Sequence, residues 1–249
     1  MVQLTRVRKE SEKLDRLPPD PPYRPDDLSD HSHRQLIGYI GLVLPVLLIF
    51  MVLNRDGTAY WKSLDSISAY YYSGAVAAFV GMLVALSLFL FTYRGYENKN
   101  HWADRAAGIT AAVAALGVAL FPTAAPDGVP VLKWWTPEMG VIHYVCAIVL
   151  FAMFAVYALW LFRISPSGEQ VPPDKKLRNV VYLICGLAIV ASIVWTGVAG
   201  VKGRPIFLPE SIALVAFAIS WLVKGYALTT LKNAIQRRVF RRPGTTGLP

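Results

Sequence analysis

The sequence predicts an all-α polytopic membrane protein, a six-transmembrane-helix bundle with both termini in the cytoplasm. Three observations carry that expectation. Of 249 residues, 55% are hydrophobic and only 16% are charged, which is too apolar for a water-soluble domain. The apolar residues gather into six blocks near the ~20-residue length that a hydrocarbon core about 30 Å thick requires of a helix. Lys and Arg divide unevenly between alternate links, and that division sets orientation in a bilayer. The blocks consume most of the chain and leave no room for a separate catalytic domain in water.

Residues 1–34 carry dense mixed charge and the run Leu17-Pro18-Pro19-Asp20-Pro21-Pro22. Such a composition buries too little apolar surface to offset its ordering entropy, so a flexible cytoplasmic tail is expected. No apolar stretch precedes Leu36, and the first block is therefore expected to be a retained span rather than a cleaved signal, which suits a bacterial inner membrane. The membrane domain is expected over residues 35–232, followed by a basic cytoplasmic tail over 233–249.

The six blocks are Leu36–Leu53, Ala69–Tyr93, Ala106–Pro122, Gly140–Phe162, Val180–Ala199 and Leu208–Leu231. The third is the shortest and covers about 26 Å as a helix. Its run from Ala106 to Gly117 is dominated by Ala and Gly, the small residues that let helix backbones approach where water cannot drive association. It is expected to be a packing helix, with Gly74 and Gly81 of the second block facing it; a pore lined by small residues is the alternative. Pro45 interrupts the first block and predicts a kink there.

The cation count orients the bundle. One side holds seven before the first block (Arg6, Arg8, Lys9, Lys13, Arg16, Arg24, Arg34), then Arg94, Lys99 and Arg105, then Arg163, Lys175, Lys176 and Arg178, and finally Lys232, Arg237, Arg238, Arg241 and Arg242. The other side holds only Arg55, Lys62, Lys133, Lys202 and Arg204. Both termini are thus expected in the cytoplasm. The net charge of +9 does not point to nucleic acid, because the cluster Arg237 to Arg242 directly follows a span and lies where cations meet anionic lipid headgroups.

Polar residues at membrane depth are the candidates for chemistry. With cytoplasmic termini, Asp65, Ser66, Ser68, Tyr70, Tyr71, Tyr72, Thr123, Glu138, His143 and Glu210 all fall near the outer surface. Intramembrane ionisable groups are expensive and usually face a bundle interior. Ser66, Ser68, Tyr70, Tyr71, His143 and Glu210 are therefore the expected ligand-binding set. If His143 faces Glu210, the carboxylate favours imidazolium, and the pair suits a polar ligand or a proton relay. Plainer roles compete: Tyr70, Tyr71 and Tyr72 with Trp61, Trp134 and Trp135 make an interfacial aromatic belt, His143 can serve a structural hydrogen bond, and Glu210 can complement a helix N-terminus. At the inner end Lys224, about 21 Å below Glu210 on one helix, either snorkels or pairs with Asp104.

Catalytic zinc typically needs three protein ligands. His31 and His33 lie in the tail and His101 in an inner link, which leaves His143 as the one intramembrane imidazole. G-x-S-x-G, Walker A, H-E-x-x-H and C-x-x-C-H motifs are missing, so nucleophilic, nucleotide, protease and covalent-haem chemistries lack sequence support. No cofactor is expected, and Cys146 and Cys185, inside apolar blocks at different depths, are expected to pack rather than pair.

The strings Ser66-Ile67-Ser68-Ala69-Tyr70-Tyr71-Tyr72, Phe121-Pro122-Thr123, Ile142-His143 and Trp221-Leu222-Val223-Lys224-Gly225 resemble those of a group of uncharacterised bacterial polytopic membrane proteins. The resemblance runs from Ser66 to Gly225 and implies a multi-span helical fold without implying an activity. A looser similarity is to the alkaline ceramidases and adiponectin-receptor-like hydrolases, which combine membrane Ser, Asp and three zinc-binding His; this chain lacks their H-x-x-x-H within a span. The expected function is binding or transport of a small polar solute, ion or lipid headgroup through an outward-facing polar cavity. A lipid-modifying hydrolase and an assembly subunit of a membrane complex are the alternatives, and the bilayer, anionic lipids at the C-terminus and possible self-association complete the expected partners.

Overall fold

The computed structural model describes residues 25–53, 64–95, 101–164 and 175–226. The chain divides into two units, Met1–Asp30 and His31–Pro249; apart from the first residues of α1, everything considered below lies in the second. The elements are all helical among the described residues: α1 (Pro25–Leu53), a 3-10 turn (Ser68–Tyr72), α2 (Val76–Thr92), α3 (His101–Leu120), α4 (Pro137–Leu159), a second 3-10 turn (Leu161–Arg163), α5 (Lys175–Val201) and α6 (Phe207–Lys224).

Among the described residues, five segments are long and apolar enough to cross a membrane: His31–Val52, His101–Leu120, Pro137–Arg163, Lys175–Val201 and Phe207–Lys224. The small-residue helix α3, the shortest block in the sequence, is among them. The exception is α2, apolar but only 17 residues long, which is about 26 Å of helix against a core of about 30 Å. The expected second span, Ala69–Tyr93, is thus split. Ser73 is extended, and its hydroxyl donates to the Tyr70 carbonyl at 2.8 Å and accepts the Ala75 N–H at 3.1 Å. Ser66 accepts the Ala69 N–H at 3.0 Å. Serine bonds of this kind compete with the helical ladder and explain why the helix starts at Val76 instead of Ala69.

Helix α1 begins at Pro25, inside the stretch expected to be a tail, and runs on through Pro45. Proline suits a first helical position because the amide hydrogen it lacks has no helical partner there. Residues 1–24, Trp61 and the basic cluster at 237–242 lie outside the described residues.

Neighbours in the bundle follow chain order: α2 packs on α3, α3 on α4, α4 on α5 and α5 on α6, with α4 also touching α6. Helix α1 meets α2 where the His33 ring donates to the Phe89 carbonyl at 2.7 Å. It meets α6 where Gln35 donates to the Gly225 carbonyl, also at 2.7 Å. A Cβ on Gly38 would stand 2.7 Å from Leu222 Cγ and 3.0 Å from the Ala218 carbonyl, so glycine is what lets α1 close on α6.

The α2–α3 contact differs from expectation. Gly74 is exposed and Gly81 has open space around it; the close approach comes from Gly108 of α3, whose Cβ would lie 3.0 Å from the Leu90 carbonyl. Helix α2 faces inward through Phe79, Leu83, Leu86 and Leu90, and Ser87 donates to the Ala112 carbonyl at 2.8 Å. Two glycines seven residues apart matched helical spacing, but the larger apolar side chains took the inward face because they bury more surface. Phe154 of α4 and Phe217 of α6 stack with centroids 3.6 Å apart in the interior. Val46, Leu88, Val113, Ile148, Ile184 and Val194 are exposed on the helices, a density of bare aliphatic surface that belongs in lipid rather than water.

Candidate functional site

The site is built around the short segment from Asp65 to Ser68 that precedes α2. Its backbone is held by the first turn of α6. The Asp65 carbonyl accepts the N–H groups of Ile206 and Phe207 at 2.6 and 2.9 Å, supplying partners to donors that a helix start leaves unsatisfied. One turn further on, Glu210 Oε2 accepts the Ile67 N–H at 2.7 Å. Helix α4 supplies the other anchor: His143, with 1% of its surface exposed, holds Ser68 through Nε2···Oγ at 2.8 Å. Its Nδ1 lies 2.7 Å from the Phe121 carbonyl. A carbonyl only accepts, so Nδ1 carries the proton, and in the neutral ring Nε2 accepts from the Ser68 hydroxyl.

His143 and Glu210 therefore reach adjacent residues, Ser68 and Ile67, and each has its own partner there; no hydrogen bond joins the acid to the imidazole. Beside them lies a partly enclosed cavity of ~40 Å³, lined mainly by Phe79, Leu83, Val118, Leu150 and Leu214, with Ser68 and Glu210 as its polar side chains. A cavity must offer at least about 10–15 Å³ to hold one water, so this one takes water-sized occupants. The carboxylate keeps an oxygen beyond the one bound to Ile67, and Ser68 keeps lone pairs, so both can meet such an occupant.

The remaining candidates lie around this segment. Ser66 shapes the turn. Tyr70 is buried against Phe207, with centroids 5.9 Å apart, and burial pushes its phenol above the ordinary range, partly offset by a hydrogen bond to the Leu64 backbone. Tyr71 packs edge-on to Phe79. Neither tyrosine lines the cavity. Tyr72 donates to the Thr123 carbonyl at 2.7 Å, and the Thr123 and Tyr144 hydroxyls meet at 3.0 Å. Trp135 donates to the Pro122 carbonyl at 3.0 Å. These bonds tie the Phe121–Thr123 stretch to the same end of the bundle. Among the described residues no three of His, Cys, Asp and Glu come together, and Cys146 and Cys185 are free thiols.

The opposite end holds a second cluster. Arg34, Asp104, Lys175 and Lys224 are all buried, and the charges of Lys175, Arg34, Asp104 and Arg178 act on Lys224. Lys224 lies 3.4 Å from the Phe162 carbonyl oxygen, and Lys175 lies 3.5 Å from the same oxygen and 3.1 Å from that of Ile164. Sharing one oxygen puts the two ammonium nitrogens within about 7 Å, where like charges repel by roughly 2 kcal/mol at an effective dielectric of about 20. Aromatic rings surround them: Trp221 meets Tyr93, Phe162 and Tyr157 at 4.9, 5.0 and 5.2 Å. Arg34 lies over Tyr93 and Lys224 over Phe162.

A helical bundle with lipid-facing sides and ionisable groups gathered at its two ends defines an integral membrane protein. Residues 79–225, more than half of the chain, match the family described as "Protein of unknown function (DUF998)", and the chain belongs to that family. No curated protein and no solved structure matches it.

Proposed function

We propose that this chain binds a water-sized polar species, a small cation or a proton carried on water, at Glu210 and Ser68, and moves it between the cavity and the aqueous side facing that end of the bundle. The observation that supports the reading is the convergence of His143 and Glu210, from two membrane-length helices, on neighbouring residues beside a small cavity. An acid in such surroundings favours a cation or a proton, because a carboxylate removed from water gains most from a positive partner. As the cavity's occupant gives a proton to the Ser68 oxygen, Ser68 passes its own to Nε2, so that the hydroxyl is restored and the charge rests on the imidazolium, while Nδ1 holds the ring in place. In this reading all six helices cross, α2 by local thinning of the bilayer, both termini face the cytoplasm of a bacterial inner membrane, and an ion pair between Asp104 and Lys224 ties α3 to α6.

The test is proton and sodium flux in proteoliposomes, with the wild type set against His143→Ala combined with Glu210→Gln. Glutamine retains an acceptor for the Ile67 N–H, so the loop stays docked while the charge is lost. A drop of about tenfold or more, or about 1.4 kcal/mol in barrier terms, supports the proposal. Equal flux in the two proteins, or no flux above empty liposomes in either, overturns it.

A further inference from the structure

We infer that the cavity beside Glu210 takes a short alkylammonium ion, with its ammonium on Glu210 and Ser68 and its alkyl part on the apolar walls, an assignment that rests on the reading of this site as one for a small cation. The cavity of ~40 Å³ has room for about three heavy atoms if each takes the ~10–15 Å³ that one water needs. Waters in protein interiors make about three hydrogen bonds each. Here the polar side chains are Ser68 and Glu210 alone, and Phe79, Leu83, Val118, Leu150 and Leu214 make most of the wall. Walls of that kind stay dry and take apolar atoms.

Charge and hydrogen bonding choose the other end of the ligand. A carboxylate drawn away from water gains most from a positive partner. Hard cations such as Ca²⁺ and Mg²⁺ take about six oxygens or more, whereas Glu210 and Ser68 bring three side-chain oxygens, one of them already accepting the Ile67 N–H. Ser68 donates its hydroxyl hydrogen to His143 Nε2 and so presents only lone pairs to the cavity. An ammonium group only donates, which suits the two acceptors that remain, and a methyl or ethyl group covers the apolar wall. The same pair forms from either protonation state. An ammonium meets the carboxylate, or the lone pair of a free amine takes the proton of the neutral acid, whose O–H electrons stay on the carboxylate. Ser68 and Glu210 are both half-buried, which leaves the ligand a way in.

Binding of radiolabelled ethylammonium to the detergent-purified full chain, competed by unlabelled ethylammonium or by sodium at equal ionic strength, tests the assignment. Ethylammonium is expected to displace the label, and sodium is not. Glu210→Gln, which keeps an acceptor for the Ile67 N–H, should weaken binding about tenfold. Ala147→Val, which adds bulk to the cavity wall and leaves Glu210 and Ser68 in place, should do the same. Leu187→Ala, on the exposed face of α5, should bind as the wild type does. Should Ala147→Val fail to fold, Val118→Ile narrows the same cavity from α3. The assignment is overturned if ethylammonium does not bind the wild type, if sodium competes equally, or if Glu210→Gln or the cavity-narrowing variant binds as the wild type does. Proton or sodium flux that still depends on Glu210 in that case leaves the cation reading standing, and the absence of both binding and flux ends the two together.

Discussion

Single residues decide how the Asp65–Ser68 segment is held. Replacing His143 by Phe removes the partner of Ser68 and leaves the Phe121 carbonyl, an acceptor at 2.7 Å, with nothing to accept. Leaving a buried polar group unsatisfied costs about 1–3 kcal/mol, so His143→Phe should lower the thermal midpoint in detergent more than Ser68→Ala, which still leaves the imidazole its Phe121 bond. Glu210→Leu should be worse than Glu210→Gln for the same reason, because leucine offers the Ile67 N–H no acceptor. Equal midpoints for the leucine and glutamine variants would show that the carboxyl does not hold the loop. His143 and Glu210 were legible in the sequence because an ionisable residue inside an apolar block is conspicuous. The Asp65 carbonyl was not: every residue carries that group, and only the fold tells which carbonyl meets a helix end. Tyr70 and Tyr71 neighbour Ser68 in the chain without lining the cavity, since position in a block sets depth whereas direction depends on the turn that Ser66 and Ser73 impose.

At the scale of helices, glycine marks the contacts, and it does so unevenly. Gly38→Val should disrupt the α1–α6 seam, because even a Cβ meets Leu222 and the Ala218 carbonyl at 3.0 Å or less. Gly197→Ala on α5, where nothing lies within 4 Å, should leave the midpoint unchanged or raise it by the ~0.5–1 kcal/mol that alanine gains over glycine in a helix. Thermal unfolding of the two variants side by side checks the contrast, and a neutral Gly38→Val would remove α1 from its place beside α6. The apolar blocks located each described helix but missed the first turns of two: α3 starts at His101 rather than Ala106, and α5 at Lys175 rather than Val180. Hydropathy registers only the part of a helix that lipid touches. The overlooked turns carry Asp104, Lys175 and Arg178, and for that reason the buried cationic cluster was invisible as a cluster even though each of its members was counted.

For the whole molecule, the cation distribution and the helix lengths make a joint prediction about crossings. Cysteines introduced singly at the two chain ends, in a background lacking Cys146 and Cys185, should both label with a membrane-impermeant maleimide only after the cells are opened. One end labelling in intact cells would mean an odd number of crossings, with the 17-residue α2 as the helix that fails to cross. The fold class was legible at this scale because composition and block length are averages over many residues, and averages survive local errors such as the split second block.

The staple that α6 places on the Asp65 carbonyl has a bearing on biogenesis. Helix α6 is the last of the described helices to leave the ribosome, so the segment ahead of α2 waits through the synthesis of four further helices before this anchor exists. Until then His143 and the Tyr72–Thr123 bond are what tie it to the bundle. A chain stopped short of Phe207 lacks this anchor and is expected to be cut near residue 65 in limited proteolysis under conditions that spare the finished chain.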